Sequence, residues 1–181
     1  MKRTSLAIFA ALMVCAPFAV GQLSGQQSGG SSQSELDGFV GEGVCTGQTM
    51  AVGKNPAHNT TGKFHGEKTL DGHWVVIHYE EDQTLANPKP FKVTQYIGYD
   101  AAKKHFVTVL FENSGDSYGT GSSSSWKGDT LTFDEIPAGS TRAAFRDIFT
   151  NGGSGMSSHT GMMLDEHGTW VKTDEETCHK P

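Results

Sequence analysis

His65 and His78 would meet if the chain around them folds back on itself. Stretches 59–70 and 73–81 flank Asp71-Gly72. A two-residue turn there sets Leu70 opposite His73, Phe64 opposite Tyr79 and His65 opposite His78. Cross-strand neighbours have Cβ atoms about 5 Å apart. Glu67 and Glu80 share their side, so His65, His78 and Glu67 form a candidate ligand set for a divalent metal. The same side also reads as a polar outer wall of solvated histidines, because no H-E-x-x-H or C-x-x-C spacing accompanies it. Phe64, Gly66, Val75, Ile77 and Tyr79 then face inward.

Arg142 and Arg146 share a face of the stretch 141–150, with Ala143, Phe145 and Phe149 on the other. Turned inward, a guanidinium there would grip a ligand carboxylate through its planar fork. Turned outward, it would pair with acids across the sheet. Gln95 is the odd polar member of the alternating set Phe91, Val93, Ile97 and Tyr99, which makes Gln95 and Tyr99 further candidate ligand contacts. Val107, Val109 and Phe111 are the expected inward set of the next strand. Met156 and Met162 share a face with Ser158, Thr160 and Leu164, as adaptable lining or as core filler. No nucleophile elbow, Walker sequence or dinucleotide loop occurs, and no catalytic residue is identified.

These residues need a scaffold, and composition narrows it. The 181 residues carry 14 Lys plus Arg against 20 Asp plus Glu, a net charge of -6, which disfavours a nucleic-acid partner. Residues 1–21 read as a Sec-type signal peptide: Lys2 and Arg3, a short apolar core, then Ala19 and Gly21 ahead of a cut before Gln22. The uninterrupted apolar run from Leu6 to Cys15 is too short to cross about 30 Å of hydrocarbon, so no membrane span is expected. Residues 22–34 are a Gly/Ser/Gln-rich tether with too little apolar surface to fold. Residues 35–181 form one domain, exported to the periplasm or beyond.

That domain shows strand-length stretches divided by turn signals and no sustained helical period. Ten are expected: 39–46, 59–70, 73–81, 91–99, 105–112, 117–126, 130–136, 141–150, 156–164 and 169–176. Hairpin chemistry joins many of them, so the order is a meander, and ten twisted strands leave two bare edges unless the sheet closes. Closure sets the first strand beside the last. Cys45 and Cys178, near the two ends, are an even pair in an oxidising compartment and are expected to be bridged. Closing so long a loop contributes roughly 4 to 5 kcal/mol in the chain-entropy picture. The fold class is therefore all-β, a closed antiparallel up-and-down barrel, with a two-sheet sandwich as the alternative.

Gly38-Phe39-Val40-Gly41-Glu42-Gly43, then Gly98-Tyr99-Asp100 with Lys104 and Phe106, then Trp126-Lys127-Gly128-Asp129-Thr130-Leu131-Thr132-Phe133, and finally Gly168-Thr169-Trp170 carry a family likeness through their order and spacing. Over most of 35–181 the chain resembles the exported bacterial domain-of-unknown-function fifteen-seventy-nine family. Val40 stands where related sequences have tryptophan. Such proteins are similar to calycins, the lipocalin, fatty-acid-binding and nitrobindin barrels, and the resemblance implies a binding cavity without naming its occupant. A nitrobindin-like haem site would want a histidine near the last strand, where His179 is the candidate.

The reading is an exported, calycin-like barrel that binds a small, largely apolar molecule or a lipid. A metal- or haem-dependent enzyme and an interaction module with a filled barrel are the alternatives. No cofactor is otherwise expected.

Overall fold

A computed structural model describes residues 34–52, 56–113, 118–140, 144–151 and 156–180. Ten strands follow a short 3-10 turn, Asp37–Phe39. They are β1 (Gly41–Thr49), β2 (His58–Thr69), β3 (Trp74–Glu81), β4 (Lys92–Asp100), β5 (His105–Glu112), β6 (Tyr118–Ser123), β7 (Thr130–Pro137), β8 (Phe145–Asn151), β9 (Met156–Leu164) and β10 (Trp170–His179). Each is antiparallel to its sequence neighbour, and β1 pairs with β10, so the sheet is a closed barrel. Every strand edge is used, which removes the exposed hydrogen-bonding rims that invite aggregation. No helix among the described residues is long and apolar enough to cross a membrane.

Closure brings Cys45 opposite Cys178, with Cα atoms 3.9 Å apart, and the two form a disulfide. The β2–β3 register has Phe64 opposite Tyr79 and His65 opposite His78, the pairing read from sequence. The turn spans Leu70 to His73, with Leu70, Asp71 and Gly72 all at positive φ.

The meander gives the barrel two distinct ends. The β2–β3, β4–β5, β6–β7 and β8–β9 connections lie at one of them, and the other five lie at the opposite, far end. The first end is sealed from within. Leu36, Val75, Ile97, Phe106, Leu131 and Phe133 form a buried cluster, against which Phe39, Val40, Tyr99, Trp126 and Phe149 pack. Phe39 meets Phe149 edge-on at 5.1 Å between ring centroids and lies 6.1 Å from Trp126. The 3-10 turn thus plugs the barrel. The plug needs Gly66, because a Cβ there would fall 1.9 Å from the Phe39 carbonyl oxygen. Val40 belongs to this plug.

Two facing assignments made from sequence are corrected. On β5 the inward residues are Phe106, Thr108, Leu110 and Glu112, set by their pairing with Tyr99, Ile97, Gln95 and Val93 of β4. Val107, Val109 and Phe111 therefore lie on the outer wall, where Phe111 meets Tyr118 at 5.9 Å. On β9 the inward residues are His159, Gly161 and Met163, opposite Phe149, Asp147 and Phe145 of β8. The face that carries Met162, Thr160 and Leu164 is the outer one, so these residues do not line the interior.

Candidate functional site

The interior changes character between the sealed end and the far end. Beyond the apolar cluster the inward positions of seven strands carry Thr60, Tyr79, Gln95, Glu135, Asp147, His159, Asp174 and Glu176. Alternation alone would fill these places with apolar side chains, yet acids dominate.

His159 is the hub. One ring nitrogen lies 3.2 Å from Asp147 Oδ1 and the other 3.1 Å from Asp174 Oδ1. Burial works against a charged imidazole here, but the two carboxyls outweigh it and hold His159 well above its ordinary range. Asp174 feels the converse. Burial would raise it, but its bonds with His159 and from the Thr173 hydroxyl, 2.8 Å away, bring it below the usual carboxylate range. Gln95 donates to the second Asp147 oxygen at 3.2 Å.

A second cluster adjoins the first. Glu176 accepts hydrogen bonds from the Tyr79 hydroxyl and, at 2.9 Å, from Thr60. Burial raises Glu176 despite these donors, and burial beside Glu176 raises the Tyr79 phenol far above its normal range. Glu135 is the most deeply set acid. Burial and the neighbouring Asp147 push its carboxyl up to about 10, so it carries its proton at neutral pH. Nearer the far end, Glu81 accepts from Asn87 and from the Phe91 amide at 3.0 Å, and His58 stands with Nδ1 against the Pro56 carbonyl.

This polar part is not packed shut. His159 keeps 26 % of its side-chain surface exposed and Asp174 keeps 30 %, although both point into the barrel. At the sealed end Ile97, Leu131 and Phe133 have none.

The sequence-derived candidates separate cleanly. Gln95 and Tyr99 do face inward, Gln95 on Asp147 and Tyr99 edge-on to Phe106 at 5.2 Å. Arg146 does not. It lies on the outer wall, where it grips Asp134 at 2.6 and 3.1 Å and stacks 4.3 Å from the Trp170 ring. Its guanidinium is therefore engaged on the wall and does not face the interior. Arg142 lies outside the described residues. His65 and His78 are cross-strand partners on the outer wall, but His65 pairs with Glu42 at 3.3 Å and Glu67 at 3.8 Å, while His78 binds the Thr94 hydroxyl at 3.0 Å. No three His, Cys, Asp or Glu side chains converge as metal ligands among the described residues. Of the set His65, His78 and Glu67, the exposed outer wall thus brings His65 beside Glu67 and opposite His78, while the His78 ring is bonded to Thr94.

Haem does not fit His179, the histidine considered for it, nor the inward-facing His159. His179 sits opposite Val44 on the outer wall. His159 points inward, but both its nitrogens are engaged by aspartates.

Sequence reasoning missed Glu135, Asp147, His159, Asp174 and Glu176. The one signal available was negative: β7, β8 and β10 each place acids on the parity that also carries their apolar inward residues.

No curated protein matches the chain. Among solved structures it is similar to the crystal structure of Rv2717c from M. tuberculosis, with a TM-score of 0.63 and 13 % identity, covering 83 % of this chain and 98 % of that one. At that identity the likeness speaks for the barrel fold alone. The family model described as "Protein of unknown function (DUF1579)" matches residues 29–180, and the chain therefore belongs to the DUF1579 family.

Proposed function

We propose that this protein is an exported, calycin-like binding barrel that takes a small molecule into the polar part of its interior. The observation that carries the reading is the open surface left on His159 and Asp174 inside a closed wall, against the filled cluster at the sealed end. Small barrels are often filled by side chains throughout, and a pure packing module would leave no such surface. The filled-barrel alternative accounts for the sealed end only.

An apolar or lipid ligand alone fits poorly. The fully buried apolar side chains are packed against one another, and the accessible wall is acidic. Half-buried Phe64, Ile77, Val93 and Leu110 line the inner face of β2 to β5 opposite the acids. A ligand with a modest apolar body and a polar head satisfies both surfaces. Export is supported by the leader-like residues 1–21 and by the bridge between the first and last strands.

An NMR titration of the labelled protein with a panel of small organic fragments tests this reading. Amide shifts should cluster on inward residues of β7 to β10, Glu135 and His159 among them. Perturbation confined to the outer wall, around Lys63, His78 and Phe111, would overturn it.

A further inference from the structure

Two of the buried side-chain atoms that lack a hydrogen-bond partner among the described residues flank one glycine. Glu135 is 3 % exposed and Thr108 is 1 % exposed, yet Glu135 Oε1 and Thr108 Oγ1 have no hydrogen-bond partner among the described residues. Gly121 pairs with Thr108 on one side and Glu135 on the other, so both side chains stand on the inner face next to it. A Cβ at Gly121 would lie 2.9 Å from Thr108 Cγ2 and 3.0 Å from Glu135 Cγ, so both side chains lean over the bare backbone. Leaving such groups unpaired forfeits their hydrogen bonding to water, and an incoming partner restores it.

The surroundings define that partner. Glu135 is bonded to Asp147, and Glu112 also acts on it. Asp174 and Glu176 follow along the wall, and the imidazole of His159 is already held between two aspartates. Acids outnumber basic groups, so the region attracts a cation and repels an anion. An ammonium group has three donors and no acceptor, which suits carboxyl oxygens and a hydroxyl oxygen. Resting on the interior-binding reading above, we infer that the occupant is a small organic amine. Its ammonium head lies between Glu135, Thr108 and Asp147, and its short carbon chain runs along Ile77 and Leu110. When the ammonium binds, the Glu135 proton leaves to solvent and the carboxylate pairs with the cation.

Isothermal titration of the purified chain with n-hexylammonium chloride, 1-hexanol and sodium hexanoate tests the inference. The amine should bind one to one, at least tenfold more tightly than the alcohol, and hexanoate should not bind detectably. Glu135→Gln should weaken the amine at least tenfold and leave the alcohol unchanged. Thr108→Val, which removes the other unpaired group, should weaken the amine several-fold. Circular dichroism should show native barrel in both variants. Equal binding of amine and alcohol, or an amine affinity that Glu135→Gln does not change, would overturn the amine assignment while leaving the interior-binding reading standing. Tighter binding of hexanoate would do the same. Absence of binding by all three probes in the unaltered protein would overturn both.

Discussion

The sealed end and the polar part of this barrel share the same strands, yet they obey opposite rules. At the sealed end β7 contributes Leu131 and Phe133, which pack against Leu36, Val75, Ile97 and Phe106 until no surface is left. Two residues further along, the same strand contributes Glu135, buried without a full set of hydrogen bonds. The β8 strand repeats the pattern, with Phe149 toward the sealed end and Asp147 beyond it. One end stabilises the molecule by removing apolar area from water. The other holds charge in a wall where an apolar side chain would be more stable, a trade expected of a binding surface.

That contrast has measurable consequences, and the greatest lies at the sealed end. Phe133→Ala leaves a cavity in a fully buried cluster and should cost about 3 to 5 kcal/mol in urea unfolding. A loss below about 1 kcal/mol would mean that the sealed end is not the packed half.

His159→Asn removes the cation between Asp147 and Asp174 and leaves two acids facing each other. A destabilisation of about 2 kcal/mol at pH 7 is expected, less than for a fully buried pair because the ring is partly open to solvent. The loss should shrink below pH 4, where the acids take up protons.

Glu135→Gln should do the reverse of Phe133→Ala. The Glu135 carboxyl holds its proton up to about pH 10 in the folded chain, whereas unfolded it loses it near 4.5. The folded state binds more protons between those values, so stability falls as pH rises across the window. His159, raised above its ordinary value, adds a decline that begins above about pH 6.5. Asp174 acts oppositely, since its stabilisation is lost as pH falls through its lowered value. Thermal unfolding should therefore show a maximum in mildly acidic buffer and a fall toward pH 9. In the variant the fall should flatten and stability at pH 8 should rise by about 1 to 3 kcal/mol. A steeper fall would contradict the protonated carboxyl.

The smallest effect belongs to the outer wall. Arg146→Ala loses an ion pair to Asp134 and a stack on Trp170, together about 0.5 to 1 kcal/mol, and should leave amine binding untouched.

How far the chain could be read without coordinates follows the same division. The β2–β3 register, the ten-strand meander, its closure and the Cys45–Cys178 bridge were legible because alternation, turn residues and edge avoidance all act on local sequence. The inward face of β4 was legible for the same reason, since Val93, Ile97 and Tyr99 are its apolar set. The inward face of β5 was not: Val107, Val109 and Phe111 are the more apolar set, and pairing with β4 overrides them. The polar site was hidden by the same logic. Ser157, His159 and Gly161 look like a solvent face, and only the strands on either side turn them inward. Acids scattered over β7, β8 and β10 converge through barrel closure, which no local period records.

The most direct test of the two-part interior is a high-resolution crystal structure of the unliganded protein. Ordered water or a captured small molecule should lie within hydrogen-bond reach of Glu135, Thr108 and His159, and the cluster around Phe133 and Ile97 should be dry and fully packed. Side chains collapsed over the acids with no solvent among them, or an open cavity beside Phe133, would contradict a two-part interior.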